Sequence, residues 1–196
     1  MSRLFVALLS MLLCCLVLTG CSGKSESSGS DLDSLGQDIV IIPSALPENF
    51  TIKIPGDFTT TSSASFDEYY VKDDASIIIT DDPIAISGEK VETYMKKVKE
   101  AYEKTADQYE VYSEEYPTIH DTDACILEFG YAIVGADAKQ AMRCMTAVLI
   151  HHDVAYVITC KSRAETFGLY RQAFRACIDS IRIETPPIDT DNAVIH

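Results

Sequence analysis

The chain has 196 residues and carries 30 acidic side chains against 16 Lys and Arg, which gives a formal net charge of −14 at pH 7. A charge of this sign argues against nucleic acid and anionic lipid head groups as partners, because both repel a strongly acidic protein. The length is sufficient for one hydrophobic core, so we expect one domain with flanking segments.

Residues 1–20 have the order of a secretory signal peptide. Arg3 supplies a short basic start, residues 4–18 are an almost unbroken apolar run, and Thr19 and Gly20 are small residues at its end. A membrane-spanning helix needs about 20 apolar residues. The run is shorter than that, so a cleaved signal peptide is the favoured interpretation.

The sequence Leu18, Thr19, Gly20, Cys21 resembles the lipobox of bacterial lipoproteins. In that motif an aliphatic residue and two small residues precede a cysteine that is lipidated and becomes the first residue after cleavage. Lipidation with more than one acyl chain anchors a protein stably. We therefore expect an extracytoplasmic protein that is anchored to the bacterial cell membrane by lipid on Cys21. An ordinary signal peptide with a chance cysteine is the alternative.

The segments at both ends are predicted to lie outside the folded domain. Residues 21–45 are predicted to be the lipidated cysteine and a flexible tether, because residues 22–37 are rich in Ser, Gly and acidic side chains. Pro186 and Pro187 interrupt regular structure, so residues 185–196 are predicted to be a disordered tail. The domain is therefore expected at residues 46–184.

The first half of the domain is predicted to contain three strands and one helix. They are expected at residues 50–54, 66–72, 75–80 and 89–105. The first strand alternates apolar and polar side chains, and a turn at Asp73 and Asp74 joins the second and third strands into a hairpin. The helix has apolar residues at intervals of three and four, with Ser87 or Gly88 as its N-cap.

The second half is predicted to be a meander that is followed by a helix. Strands are expected at residues 109–116, 124–134, 140–150 and 154–161, a helix at residues 164–180 and a last short strand at residues 181–184. Short connections make neighbouring strands antiparallel. The expected class is therefore α+β, with a single antiparallel β-sheet and helices packed on its faces.

The order and spacing of residues 46–184 resemble the PsbP-like superfamily. The resemblance is clearest where the strand at residues 156–161 is followed by Phe167 and Phe174 on a helix and then by residues 179–183, Asp-Ser-Ile-Arg-Ile. The opening segment is also similar, since an alternating strand runs into Pro55 and the aromatic Phe58, where many members have Trp.

This resemblance implies an α/β/α sandwich. The superfamily includes a photosystem accessory protein, a Ran-binding protein and many exported bacterial lipoproteins, and its members are mostly accessory or binding proteins. The resemblance therefore implies neither catalytic residues nor a cofactor.

Four cysteines remain in the mature chain after Cys21. They are Cys125, Cys144, Cys160 and Cys177. Four cysteines in an exported domain permit three pairings. If residues 151–153 form a three-residue loop, position 144 lies opposite position 160, which makes Cys144 and Cys160 a candidate disulfide. A two-residue loop would shift the register by one and break this pairing.

No catalytic motif is present. A Gly-rich phosphate loop, a Gly-x-Ser-x-Gly elbow and a His-Glu-x-x-His helix are all missing from the sequence. We therefore expect no enzyme activity, no metal and no cofactor. Two alternatives stay open: an enzyme with an unrecognised site, and a metal-handling lipoprotein in which His120, His151 or His152 converges with a carboxylate such as Asp153.

The function predicted from these features is that of a membrane-tethered, non-catalytic binding or accessory lipoprotein of the cell envelope. Its partner would be a protein or another envelope component. Tyrosines, which are enriched at interfaces, are concentrated in the first half, at Tyr69, Tyr70, Tyr94, Tyr102, Tyr109, Tyr112 and Tyr116. The alternative is that they pack the first helix against its sheet.

Overall fold

The computed structural model describes residues 39–40, 50–63, 66–134 and 139–184. The predicted signal peptide, Cys21, most of the predicted tether and the predicted tail lie outside these ranges. The strands within them are β1 Ile39–Val40, β2 Phe50–Thr51, β3 Ile54–Pro55, β4 Thr59–Thr61, β5 Glu68–Lys72, β6 Ala75–Pro83, β7 Asp107–Glu115, β8 Thr118–Ile119, β9 Thr122–Val134, β10 Lys139–His151, β11 Val154–Arg163 and β12 Arg182–Ile183. The helices are α1 Val91–Thr105 and α2 Phe167–Asp179. In this part of the chain neither helix has the length and apolar character that a membrane span requires.

The main sheet has the strand order β4-β5-β6-β11-β10-β9-β7, and β8 pairs with β9 beside this path. Every pairing in it is antiparallel. The three longest strands, β9, β10 and β11, follow one another as the predicted meander. The prediction of an antiparallel sheet with two helices is therefore confirmed.

The prediction of a single sheet is wrong, because two small ladders lie beside the main one. β1 pairs with β3, and β2 pairs with β12. The strand predicted at residues 50–54 is divided between these two ladders. Between them, the Lys53 N–H donates to the Ser180 hydroxyl at 2.9 Å instead of to a neighbouring strand. β1 also lies inside residues 21–45, so the predicted tether does not extend to residue 45.

The main sheet buries a core on each face. Because strand side chains alternate, Tyr156 and Ile158 of β11 pack on the side of α2, whereas Ala155 and Val157 pack on the side of α1. From the helices, the α2-side core takes Phe167, Tyr170, Phe174, Cys177 and Ile178, and the α1-side core takes Val91, Tyr94, Met95, Val98 and Tyr102. The two helices therefore cover opposite faces of the sheet.

The turn between β10 and β11 has two residues. His151 pairs with Val154, and His152 and Asp153 between them have φ values of 48° and 61°. Two positive φ angles in succession are typical of the tight hairpin turns that match strand twist. The three-residue loop expected at residues 151–153 is therefore wrong.

This turn shifts the register and separates the candidate disulfide. Cys144 lies opposite Lys161, and Cys160 lies opposite Met145. The Cys144 side chain enters the α1-side core and the Cys160 side chain enters the α2-side core. Side chains that point away from each other cannot be bridged, so the predicted Cys144–Cys160 pairing is wrong.

The N-cap of α1 lies two to three residues later than predicted. It is Lys90, and no side chain caps the helix. Ser87 and Gly88 instead donate to the Asp153 carboxylate, at 2.7 Å from the Ser87 hydroxyl and 3.1 Å from the Gly88 N–H. These hydrogen bonds connect the segment before α1 to the β10–β11 turn.

Candidate functional site

The tyrosines of the first half are divided between core and surface. Tyr69, Tyr70, Tyr94 and Tyr102 are buried, and Tyr109 is partly buried against the Tyr102 ring at a centroid distance of 6.2 Å. The expectation that the tyrosines pack α1 against the sheet is correct for Tyr69, Tyr94, Tyr102 and Tyr109, whereas Tyr70 enters the α2-side core on the opposite face. Tyr112 is 47% exposed and Tyr116 is 53% exposed, so only these two of the seven can meet a partner with much of their surface.

Both exposed tyrosines belong to one edge of the main sheet. β7 is the terminal strand on this side and pairs with β9. Val111, which is 41% exposed, and Tyr112 lie on β7, and Tyr116 directly follows it. We call Val111, Tyr112 and Tyr116 the edge surface. It follows the edge on both faces of the sheet, because Tyr112 packs on Arg143 on the α2 side, whereas Val111 pairs with Phe129 of the α1-side core.

The backbone of β7 is poorly suited to extending the sheet. Its pairing with β9 shifts register twice, between Asp107 and Glu110 and between Val111 and Ser113, and Gln108 has a φ of 54°. Four of its nine residues are acidic. Bulges and charges on an edge strand discourage another strand from pairing with it. A partner would therefore contact the side chains of the edge surface more readily than its backbone.

Tyr112 is held in place by its neighbours on β9 and β10. A Cβ atom on Gly130 would lie 2.9 Å from Tyr112 Oη and 3.0 Å from its Cε2, so the ring occupies space that only glycine leaves free. The Arg143 guanidinium lies over the Tyr112 ring at 4.0 Å from its centroid, a cation–π contact. One ring face is therefore used for packing, while nearly half of the residue stays exposed.

Arg143 is in turn oriented by a buried carboxylate. Glu128 on β9 is 3% exposed and accepts hydrogen bonds from two arginines. Arg143 Nε donates to Glu128 Oε1 at 2.9 Å, and Arg171 Nε of α2 donates to Oε2 at 2.8 Å. Removing one partner of a buried charge pair leaves the other charge uncompensated and destabilises the folded protein. The Glu128 carboxylate therefore fixes the arginine on which Tyr112 rests.

Tyr116 is anchored at the other end of the edge surface. Its hydroxyl donates to Glu114 Oε1 at 2.6 Å, and Lys99 of α1 donates to both Glu114 oxygens at 2.8 Å. Burial alone would raise the pKa of Glu114, but the hydrogen bonds from Lys99 and Tyr116 outweigh burial and lower the pKa. Glu114 therefore remains ionised and connects α1 to the edge surface.

The histidines proposed as metal ligands lie at turns. His151 and His152 are adjacent with ring centroids 4.1 Å apart, whereas the Asp153 carboxylate accepts from Ser87 and Gly88. His120 has a φ of 45° in the turn between β8 and β9. Among the residues that the structure describes, no group of three or more His, Cys, Asp or Glu could hold a metal ion.

Four residues that hold Tyr112 in place, directly or through a neighbour, were not identified from the sequence. They are Glu128, Gly130, Arg143 and Arg171. Glu128 and Arg143 are opposite charges inside two long apolar strands. An isolated charge in such a strand needs a partner when it is buried, and this was the signal that could have identified them. Arg171 is 43 residues from Glu128, and nothing in the local sequence indicates their contact.

No model of a protein family matches the sequence, and no curated protein does. Solved structures do match. Cyanobacterial PsbP from Synechocystis sp. PCC 6803 has a TM-score of 0.57 at 13% identity, covering 79% of this chain and 98% of that protein. The Saccharomyces cerevisiae Ran-binding protein Mog1p has a TM-score of 0.52 at 12% identity, covering 74% and 96%. PA94 from Pseudomonas aeruginosa, a protein of unknown function, has a TM-score of 0.51 at 14% identity, covering 79% and 90%. These likenesses show that the chain shares their fold.

Proposed function

We propose that the protein is a non-catalytic binding module of the bacterial cell envelope, tethered to a membrane by lipid on Cys21. The observation that carries the binding role is the edge surface, where two exposed tyrosines are held in place by their neighbours and Val111 is exposed beside them. Rigid, exposed aromatic side chains add large contact area at low entropic cost, as hot-spot residues do. The anchor is supported by the lipobox at residues 18–21.

We also infer that the main sheet with its two helices is the α/β/α sandwich of the PsbP-like superfamily. The packing of α1 and α2 on opposite faces supports this. A neighbour of this fold, Mog1p, is a Ran-binding protein by name, which supports a protein-binding role as one that the fold can perform.

The partner is proposed to be an envelope protein whose surface presents aromatic and basic side chains. Aromatic rings suit Tyr112 and Tyr116 through offset stacking or edge-to-face contacts. Basic side chains suit the chain's net charge of −14 and the acidic edge strand, of which Glu114 and Glu115 are also paired with Lys99 and Arg175. Complementary charge accelerates association and disfavours wrong partners.

The test is chemical crosslinking of the full chain in native membranes, followed by affinity purification and quantitative mass spectrometry. The wild-type chain should capture a partner, and Val111→Ala combined with Tyr112→Ala should reduce its recovery about tenfold or more, since loss of a hot-spot contact costs at least about 1–2 kcal/mol. The control is Leu169→Ala on α2, which removes a side chain of a residue that is 79% exposed and should leave recovery unchanged. Equal recovery with the edge-surface variant would contradict the proposed binding surface.

A further inference from the structure

Two cysteines face each other between α2 and the main sheet. Cys160 lies on β11 and Cys177 on α2, and both belong to the α2-side core. Both are free thiols in this structure, and the Cys177 thiol is near enough to the Cys160 thiol to help raise its pKa, beyond the larger effect of burial. Cys160 is 0% exposed and Cys177 is 2% exposed. Ile77 and Met145 flank Cys160 on the neighbouring strands, so the pair lies in an apolar environment.

Neither of the other two cysteines can form a disulfide with this pair, and they cannot form one with each other. Cys125 and Cys144 both enter the α1-side core, on the opposite face of the sheet. Cys125 lies opposite Val148, four residues along β10 from Cys144. Four residues of a strand span roughly 13 Å, which is well beyond the Cα separation that a disulfide bridges. Each of the three complete pairings includes a bond that these positions do not allow, so only Cys160 and Cys177 can be joined.

We propose that Cys160 and Cys177 form a disulfide in the exported protein, which links α2 covalently to a central strand of the sheet. The proposal rests on the export that the proposed function includes. Each thiol loses one proton and one electron as the sulfur–sulfur bond forms. The disulfide of an extracytoplasmic thiol–disulfide exchange protein takes up the two electrons and two protons and becomes a dithiol.

Burial determines when this oxidation occurs. An oxidant cannot reach either sulfur while α2 is packed on the sheet, and burial also raises the pKa of the Cys160 thiol, which reduces its reactive thiolate form. The bond therefore forms while the translocated chain folds, before α2 packs. Once formed, it is shielded from reductants by the same packing.

The test uses the full chain in native membranes, acid-quenched, denatured, treated with iodoacetamide and digested with trypsin without reduction. The expected product joins the peptides of residues 144–161 and 176–182 with the loss of two hydrogens, and Cys144 in it is alkylated. Cys144→Ala should retain the link, and Cys177→Ala should leave Cys160 alkylated. Alkylation of both Cys160 and Cys177 in the wild-type chain would overturn the proposal.

The Cys21 peptide in the same digest separates this proposal from the proposed function. Free thiols beside an acylated Cys21 would contradict the disulfide and leave the anchor intact. A link between Cys160 and Cys177 beside an unmodified Cys21 would support the disulfide and contradict the anchor. Free thiols beside an unmodified Cys21 would contradict both.

A second readout is thermal unfolding of the full chain in detergent, before and after reduction under denaturing conditions and refolding. The bond closes a loop of about 17 residues, so the oxidised protein should unfold about 5 to 10 °C above the reduced one. The Cys177→Ala variant should show no such difference. A wild-type midpoint that does not change on reduction would contradict a bond that stabilises the docked α2.

Discussion

At the scale of single residues, one buried carboxylate organises the contacts behind Tyr112. Glu128 joins β9, β10 and α2 through Arg143 and Arg171, and Arg143 in turn supports the Tyr112 ring. The guanidinium of Arg143 also lies 5.3 Å from the centroid of the buried Phe167 ring. The position of an exposed aromatic residue is therefore set by charges in the sheet and by the first turn of α2.

Gly130 gives the first prediction at this scale. In Gly130→Ala the new methyl group would meet the Tyr112 ring at 2.9 to 3.0 Å. The end of a side chain can move away, so we expect a loss of only about 1 kcal/mol in the free energy of unfolding. We expect a much larger effect on the edge surface, with partner recovery falling about as far as in the Val111→Ala/Tyr112→Ala variant.

Gly168→Ala is the matched control for this prediction. Gly168 lies in α2, and a Cβ atom there would meet nothing within 4 Å. Alanine should stabilise the helix by about 0.5 to 1 kcal/mol and leave partner recovery unchanged. Urea unfolding and crosslinking capture measure the two effects. Full recovery with Gly130→Ala would mean that the placement of Tyr112 is not required for binding.

At the scale of secondary-structure elements, the Lys99–Glu114 pair connects α1 to the edge strand. The pKa of Glu114 is lowered in the folded protein. A lowered carboxyl pKa contributes stability above the pKa of the unfolded chain, about 4.3, and this contribution is lost as the pH falls through the folded value. The pair therefore stabilises the attachment of α1 to β7 at neutral pH and not in acid.

Glu114→Gln tests this pH dependence. At pH 7 the variant should lose about 1 kcal/mol of unfolding free energy, because the two residues are partly exposed and solvent weakens their interaction. Below about pH 4.3 the wild-type carboxyl takes up a proton as the pH falls through its lowered pKa, so the difference between the two urea midpoints should shrink steadily as the pH is lowered. Glu103→Gln on the exposed face of α1 should have little effect at any pH. A difference that does not shrink in acid would show that Glu114 acts through packing.

The long elements were predictable because their side-chain periodicity is repeated many times. The helices and the strands of the meander begin and end within three residues of their predicted positions. The short strands β1, β4 and β8 were missed, because two or three residues carry no period and are defined by their partners. The register of β10 and β11 depended on one residue in a turn, and no sequence pattern distinguished a two-residue loop from a three-residue loop at His151, His152 and Asp153.

The candidate site was predictable only in part, because its residues are brought together by tertiary contacts. Tyrosines in the first half were recognised as possible contacts, and two of the seven are exposed on one edge. Which two are exposed depends on the bulges of β7 and on the position of α1, and both are tertiary features. The contacts of Glu128 with Arg143 and Arg171 bridge residues distant in the chain, so local patterns do not reveal them.

At the scale of the whole molecule, the proposed anchor and the edge surface would place binding close to a membrane. β1 pairs with β3, so the tether predicted from the sequence would end at residue 38. A flexible chain of about 17 residues would span about 23 Å on average. The domain would then meet partners within or near the membrane, and its acidic charge would keep it from adhering to anionic lipid.

The state of Cys21 in the membrane-extracted protein tests the proposed function most directly. Mass spectrometry should find an acylated N-terminal peptide that begins at Cys21, and Cys21→Ala should prevent anchoring, so that the chain is released from the membrane or retains its signal peptide. The Cys177→Ala variant is the control and should remain anchored. A mature N-terminus at another residue, without lipid, would contradict the proposed function as a membrane-tethered binding module.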